Sequence, residues 1–226
     1  MYKIDVDFGF SDGSLEYKNV CFSFQHGDII NIIGENGCGK STFYKMLMGK
    51  VKPLRGKICK DITDNIVVIS DYINIPKEVL VADILNFIDD EKLIYVHNFF
   101  PEIYNYIFNL KGSKILLLST GERRLLEILC ALSTQKSILV LDEANNGLDI
   151  KNRLLLIDNL KKISQSEKVT IFNTSHYFED VKTLGGRVFI MNKKNSAFEE
   201  YKREFTVDKI MEYLGSGVWF WKNSFY

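Results

Sequence analysis

The sequence has no surplus of charge of either sign: over 226 residues, 29 Lys and Arg stand against 29 Asp and Glu. The molecule as a whole therefore has no net field to draw it onto nucleic acid or an anionic membrane, although a local basic patch is not excluded. It also lacks any apolar run near the roughly 18 to 20 residues that span a bilayer. The N-terminus Met-Tyr-Lys-Ile-Asp-Val-Asp carries acids where a signal peptide needs an unbroken hydrophobic segment, so a cytoplasmic protein is expected. The four cysteines, Cys21, Cys38, Cys59 and Cys130, form no C-x-x-C pair and have no histidine at ligand spacing. Neither a disulfide framework nor a zinc site is indicated. Internal repeats and low-complexity linkers are missing too, and the length suits one large α/β domain or two small ones.

What is present centres on Ile29 to Thr42, Ile-Ile-Asn-Ile-Ile-Gly-Glu-Asn-Gly-Cys-Gly-Lys-Ser-Thr, where a short apolar run feeds a glycine-rich turn. Gly34, Gly37 and Gly39 leave the backbone free to curl and bring consecutive N–H groups close to phosphate oxygens. Lys40 adds a point charge for the β- and γ-phosphates, and the Ser41 hydroxyl is placed to ligate Mg²⁺. The segment from Thr42 to Gly49 reads as a helix whose positive end faces the same anion. A full G-x-x-x-x-G-K-S after a buried strand is far more specific than a glycine-rich turn that binds nothing. Cys38 lies inside this loop, where a helix N-terminus and Lys40 would favour a thiolate. A thiol reagent is therefore expected to act there.

The flanking pattern is α/β. Tyr2 to Phe8 and Leu15 to Phe24 alternate like half-buried strands around an Asp12-Gly13 turn, suggesting an antiparallel β lobe. Asp28 to Ile33 suits a central parallel strand, with further short strands expected at Lys57 to Cys59 and Asn65 to Ile69. From Pro76 to about Thr134 the pattern turns helical, over Val81 to Ile88, Phe99 to Asn109 and Glu122 to Leu132. Phe100, Ile103, Tyr104, Ile107 and Phe108 are most simply core. Strands at Ile138 to Leu141, Val169 to Asn173 and Arg187 to Met191 alternate with helices at Lys151 to Ser166 and Tyr177 to Thr183. The longer helix would turn Leu154, Leu155, Ile157, Leu160 and Ile163 inward. This rhythm predicts a mostly parallel sheet covered on both faces, with nucleotide at the carboxyl ends of the strands and the helical block inserted into that core. The tail from Gly215 to Tyr226 places five aromatics in twelve residues, either folded back on the domain or offered to a partner or a membrane surface.

Two further stretches carry chemistry. Ser137-Ile-Leu-Val-Leu-Asp142-Glu143 delivers Asp142 to a strand end, where it can hold Mg²⁺ opposite Ser41, and Glu143 can polarise an attacking water as general base. Leu118-Ser-Thr-Gly-Glu122 heads a helix that Ser119 or Thr120 can cap, with Glu122 at the capping-box position. The same serine hydroxyl, the Gly121 N–H and the helix dipole also make a second anion site.

Taken in order, these motifs resemble the ATP-binding subunit of the ABC transporter family. Gly34-Glu35-Asn36-Gly37-Cys38-Gly39-Lys40-Ser41-Thr42 is similar to its Walker A, Leu118 to Glu122 to its signature, Ile138 to Glu143 to its Walker B and Gly147-Leu-Asp149 to its D-loop. His176 is similar to its switch histidine. The resemblance covers about Tyr2 to Met191 and implies a P-loop core (1–75 and 135–200) with an antiparallel β lobe, a helical signature subdomain (76–134), and a C-terminal helix and aromatic tail (201–226). It further implies ATP and Mg²⁺ as cofactors and a head-to-tail homodimer, or a heterodimer with another such ATPase subunit. In that pair Lys40, Ser41, Asp142 and Glu143 act in cis, while Ser119 and Gly121 reach the γ-phosphate of the neighbour's nucleotide. His176 would sense the γ-phosphate.

Departures from the family pattern carry their own expectations. Asp71 takes the place of a glutamine near Mg²⁺, bringing a negative charge and no donor. Ala144, Asn145, Thr120 and Glu122 replace the usual residues, and the Thr120 side chain narrows the second anion site. Phe10, with Phe8 as the other candidate, would stack on adenine. The implied partners are transmembrane permease chains that hold the protein at the cytoplasmic face of the membrane, with no nucleic acid expected. A soluble cassette acting on DNA, ribosomes or cofactor assembly, and a weakly hydrolysing regulatory cassette, are the rival readings.

Overall fold

The computed structural model describes residues 1–10, 12–70, 76–174, 178–202, 206 and 209–210. The expectations for Asp71, for His176 and for the aromatic tail fall outside them.

Two sheets frame the chain. In the smaller, β1 (Tyr2–Gly9) pairs antiparallel with β2 (Glu16–Phe24) and with the two-residue β4 (Arg55–Gly56), in the order β2-β1-β4. Gly13, at φ 72°, makes the expected turn between the first two strands. The strand expected at Lys57 to Cys59 is displaced. Pairing with β1 ends at Gly56, and Cys59 instead stands at the N-terminal boundary of the short helix α2 (Lys60–Asp64).

The larger sheet has six strands: β3 (Ile29–Gly34), β5 (Ile66–Ser70), β6 (Ile138–Asp142), β7 (Thr170–Thr174), β8 (Arg187–Asn192) and β9 (Ala197–Glu200). Their order is β5-β6-β7-β3-β8-β9, parallel throughout except for the antiparallel edge strand β9. β9 carries only four residues and none is fully buried, which is why its pattern is weak in the sequence. At the sheet's centre Asn173 donates to Asn31 (2.9 Å) and Asn31 donates to the Gly185 carbonyl (2.7 Å). A slip of one residue between β3 and β7 would leave these buried amides unpaired, so the pair helps fix the register.

Helix α1 (Lys40–Leu47) lies between the sheets, burying Phe43, Tyr44, Met46 and Leu47 among Ile4, Phe8 and Phe22 on one side and Ile30, Val140 and Phe172 on the other. The helical block contains α3 (Val81–Asn86), α4 (Asp90–Phe99), α5 (Pro101–Asn109) and α6 (Thr120–Ser133). The helix expected from Phe99 starts instead at Pro101. A proline at the first helical position fits its fixed φ and missing N–H, and it cannot continue α4. Phe100, Ile103 and Ile107 are fully buried as expected, whereas Phe108 is exposed and lies under the Lys111 ammonium. Helix α7 (Ile150–Ser166) buries Leu156, Ile157, Leu160 and Ile163, but not Leu154, which is 44% exposed. Four consecutive apolar residues left the phase of this helix open, and its start at Ile150 sets it. Helix α8 (Phe178–Leu184) follows β7 and packs against α7. Among the described residues no helix is long and apolar enough to cross a membrane.

Candidate functional site

Strand order brings the chemistry together. β3, β7 and β6 are neighbours, so their carboxyl ends place the turn after Gly34, Thr174 and Asp142 side by side. The turn itself needs its glycines. Gly37 and Gly39 have φ of 74° and 101°, and a Cβ on Gly34 would come within 2.5 Å of the Met191 carbonyl. Gly39 is the last residue before α1, so the loop's N–H groups and the positive end of that helix converge. The buried Lys40 curls back over the loop and donates to the carbonyls of Gly34 (2.9 Å) and Glu35 (3.3 Å).

Two residues that the motif does not contain support the loop. The buried Tyr17 hydroxyl donates to the Cys38 carbonyl at 2.6 Å. Lys193, between β8 and β9, pairs with the Glu35 carboxylate (3.4 Å) and donates to the Asn36 carbonyl (3.4 Å). Both contacts join residues far apart in the chain, and no local pattern announces them. Thr42 stands half-buried in the first turn of α1. Phe10 is also half-buried, and its ring edge lies 3.8 Å from where a Cβ on Gly39 would stand, beside the loop. Phe8, by contrast, is buried against Tyr17 and Phe43, so its ring is not free to meet a ligand.

The reactive-thiol expectation for Cys38 does not hold. Its side chain is fully buried, and burial raises the thiol pKa more than Lys40 lowers it. Iodoacetamide at neutral pH should therefore label the exposed Cys21 and Cys59 in the folded protein and reach Cys38 only after denaturation. Peptide mapping reads this directly, and rapid native labelling at Cys38 would contradict it.

Across the loop, the Ser41 hydroxyl donates to one Asp142 oxygen at 2.8 Å and the Thr174 hydroxyl to the other at 2.9 Å. Thr174 in turn accepts from the Glu143 N–H, which also reaches the Thr174 carbonyl. These bonds hold Glu143 at φ 56°, a left-handed conformation that a non-glycine residue adopts at some cost. The bend turns the chain sharply after Asp142, and the Glu143 carboxylate accepts from Asn146 (3.3 Å). Thr174 thus links Asp142 to Glu143, and only the spatial order of the strands reveals it.

Among the described residues no cluster of three or more His, Cys, Asp or Glu could hold a metal by itself. The Ser41–Asp142 oxygen pair is the sparse donor set that suits a hard divalent cation keeping several waters and sharing phosphate oxygens.

At the head of α6, Ser119 is the cap. Its hydroxyl accepts from the Glu122 N–H (3.2 Å) and the Glu122 carboxylate accepts from the Ser119 N–H (2.8 Å), completing the expected capping box. The Ser119 N–H is the main cause, and its hydroxyl the next, of the Glu122 carboxyl lying below its usual pKa. Gly121 admits no side chain, since a Cβ would lie 2.9 Å from the Gly147 carbonyl. Thr120 meets Gly147 from the other side, with its methyl 2.9 Å from where a Cβ on that glycine would stand. Asp149 caps α7 by accepting from the Asn152 N–H at 2.8 Å. The Ser119 turn and the Gly147-Leu-Asp149 loop therefore form one outward-facing surface, with Ser119, Thr120, Gly147 and Asp149 all exposed. Behind it, Asn145 donates to the buried Asp180 carboxylate (2.9 Å), which also pairs with Arg153 (3.2 Å), tying this loop to α8.

A phosphate loop at the end of β3, an acid pair at the end of β6 and a mostly parallel sheet define a P-loop nucleotide-binding ATPase. Residues 17–146 match the family model of the ABC transporter. The chain is 26% identical to the molybdate import ATP-binding protein of Haemophilus influenzae over 86% of its own length and 79% of that protein's. It is 32% identical to a Bacillus subtilis protein named as a probable peptide export ATP-binding protein, covering 84% of this chain and 87% of that one. The solved ATP binding subunit of an ABC transporter superposes with a TM-score of 0.75 at 18% identity, over 95% of this chain and 92% of that one, and shares the fold. The chain belongs to the ABC transporter family, and it is an ATP-binding ATPase of that class.

Proposed function

We propose that the chain powers transport through separate transmembrane permease subunits, working as a head-to-tail pair with itself or with another ATPase subunit of its family. The observation that carries the catalytic part is the continuous set of hydrogen bonds from Ser41 through Asp142 and Thr174 to Glu143. Lys40 and the loop N–H groups of Gly34 to Thr42 bind the phosphates, and Phe10 stacks on adenine. Ser41 and Asp142 hold Mg²⁺, which when bound neutralises charge building on the γ-phosphate. Glu143 takes the proton from the attacking water. His176 beside the γ-phosphate and Asp71 beside the metal belong to the same proposal.

In the pair, Ser119 and Gly121 complete the neighbour's site, with Asp149 beside them. The exposed surface formed by these two loops supports this, since Ile150 and Leu154 extend it with apolar side chains 69% and 44% exposed. ATP then forms part of the contact between copies, and its cleavage opens the pair.

The helical block, taken as the subdomain 76–134, receives the permease. It leaves Phe87, Ile94 and Leu117 88%, 59% and 70% exposed, apolar side chains that a permease helix could cover. Such docking would hold the chain at the cytoplasmic face of the membrane. The relatives named above serve import in one case and export in the other, and neither cargo is assigned to this chain. Purification of the tagged chain from detergent-solubilised membranes of its native host tests the reading. Co-purification of a multi-span polypeptide with Mg²⁺-dependent ATP hydrolysis is expected; a chain recovered alone from the soluble fraction would contradict it.

A further inference from the structure

Helix α1 carries a buried hydroxyl that the proposed chemistry does not use. Ser41 and Tyr44 lie three residues apart on α1, so their side chains share a face. With Asp142, Ser70, Lys45 and Met48 they line a cavity of about 330 Å³ at the end of β5 and β6. Tyr44 is 1% exposed, and its oxygen lies close to the Thr174 hydroxyl and the Asp142 carboxylate, yet its own O–H has no acceptor at hydrogen-bonding geometry. Burial, followed by the nearby Asp142 charge, holds the phenol well above its usual pKa, so the group stays a donor.

Packing does not explain the oxygen. The ring sits among apolar side chains with Phe43 as its neighbour, and a phenylalanine would fill the same volume. Leaving a buried hydroxyl without an acceptor is destabilising. Asp142, meanwhile, accepts one bond on each oxygen, from Ser41 and from Thr174, and a carboxylate has about four acceptor positions. A donor without an acceptor therefore stands close to a carboxylate with accepting capacity left.

We infer that Tyr44 is a positioning residue for the metal: its hydroxyl donates to the Asp142 carboxylate when the magnesium–nucleotide complex is bound, fixing which oxygen faces the cation. The inference rests on the assignment of Ser41 and Asp142 to Mg²⁺. Its consequence is selective, because only the metal-bound state gains the bond.

Tyr44→Phe tests it in the full chain. A fluorescent ATP analogue is titrated with Mg²⁺, and thermal melting is followed without nucleotide. The variant is expected to need about tenfold more Mg²⁺ for half-saturation, as loss of one charge-assisted hydrogen bond implies. Metal-free nucleotide binding should be unchanged, and the melting temperature without nucleotide unchanged or raised, since an unpaired buried hydroxyl has been removed. An unaltered Mg²⁺ requirement beside a Mg²⁺-dependent wild type would overturn the role of Tyr44 and leave the site standing. A wild type whose binding ignores Mg²⁺ would overturn both. A variant that melts lower and weakens binding equally with and without the metal would make Tyr44 a packing residue and also overturn the inference.

Discussion

Glu143→Gln is expected to bind ATP as the wild type does and to hydrolyse it at least a hundredfold more slowly, in line with the loss of a general base. Glutamine has the same shape and can still accept from Asn146 through its carbonyl oxygen. The left-handed bend survives as well, because it is held by backbone bonds to Thr174 that the substitution leaves alone. What disappears is the carboxylate that takes the water's proton. With cleavage blocked, the nucleotide stays in the contact between copies, and mass action then favours the pair. Gel filtration with ATP should show a dimer for the variant and mostly monomer for the wild type, while phosphate release gives the rate. Unchanged turnover would remove Glu143 from its role.

Ser119→Arg should be as severe by another route. The serine is exposed at the head of α6, where its carbonyl accepts the first helical bond from the Arg123 N–H and its hydroxyl serves the capping box with Glu122. Losing that cap costs about 0.5–2 kcal/mol, so melting should fall modestly and the monomer should bind nucleotide normally. Hydrolysis should vanish, because the arginine side chain would occupy the place of the neighbour's γ-phosphate. Ser119→Ala separates the two effects. It removes the cap without adding bulk, and should show the same drop in melting with much more activity left. Failure of the isolated Ser119→Arg monomer to bind ATP would place Ser119 in its own chain's site and contradict the assignment across the pair.

The parts of this site legible in the sequence are those written locally. A strand ending at Gly34, a turn whose glycines at 37 and 39 take positive φ, the capping box of Ser119 and Glu122, and a strand delivering Asp142 all follow from short-range chemistry, and the structure has each of them. What the sequence concealed depends on which strands become neighbours. Thr174 meets Asp142 only because β7 lies beside β6, and Tyr17 and Lys193 reach the phosphate loop from the other sheet and from beyond β8. Cys38 shows the converse error. Its local field argues for a thiolate, but the tertiary core closes over it and the desolvation outweighs the lysine. Helix α4 escaped notice because it buries only Val96, so its periodic signal is faint.

The central claim is that each nucleotide is completed by two chains. Light scattering on a mixture tests it most directly: Glu143→Gln/Lys40→Ala combined with Glu143→Gln/Ser119→Arg, with MgATP present. Each double variant alone has no intact composite site and should remain monomeric. Together they restore one site, built from the second chain's Lys40 loop and the first chain's Ser119 turn, and a mass of two chains is predicted. If Glu143→Gln itself pairs but the mixture stays monomeric, Lys40 and Ser119 do not act across an interface, and the account is contradicted.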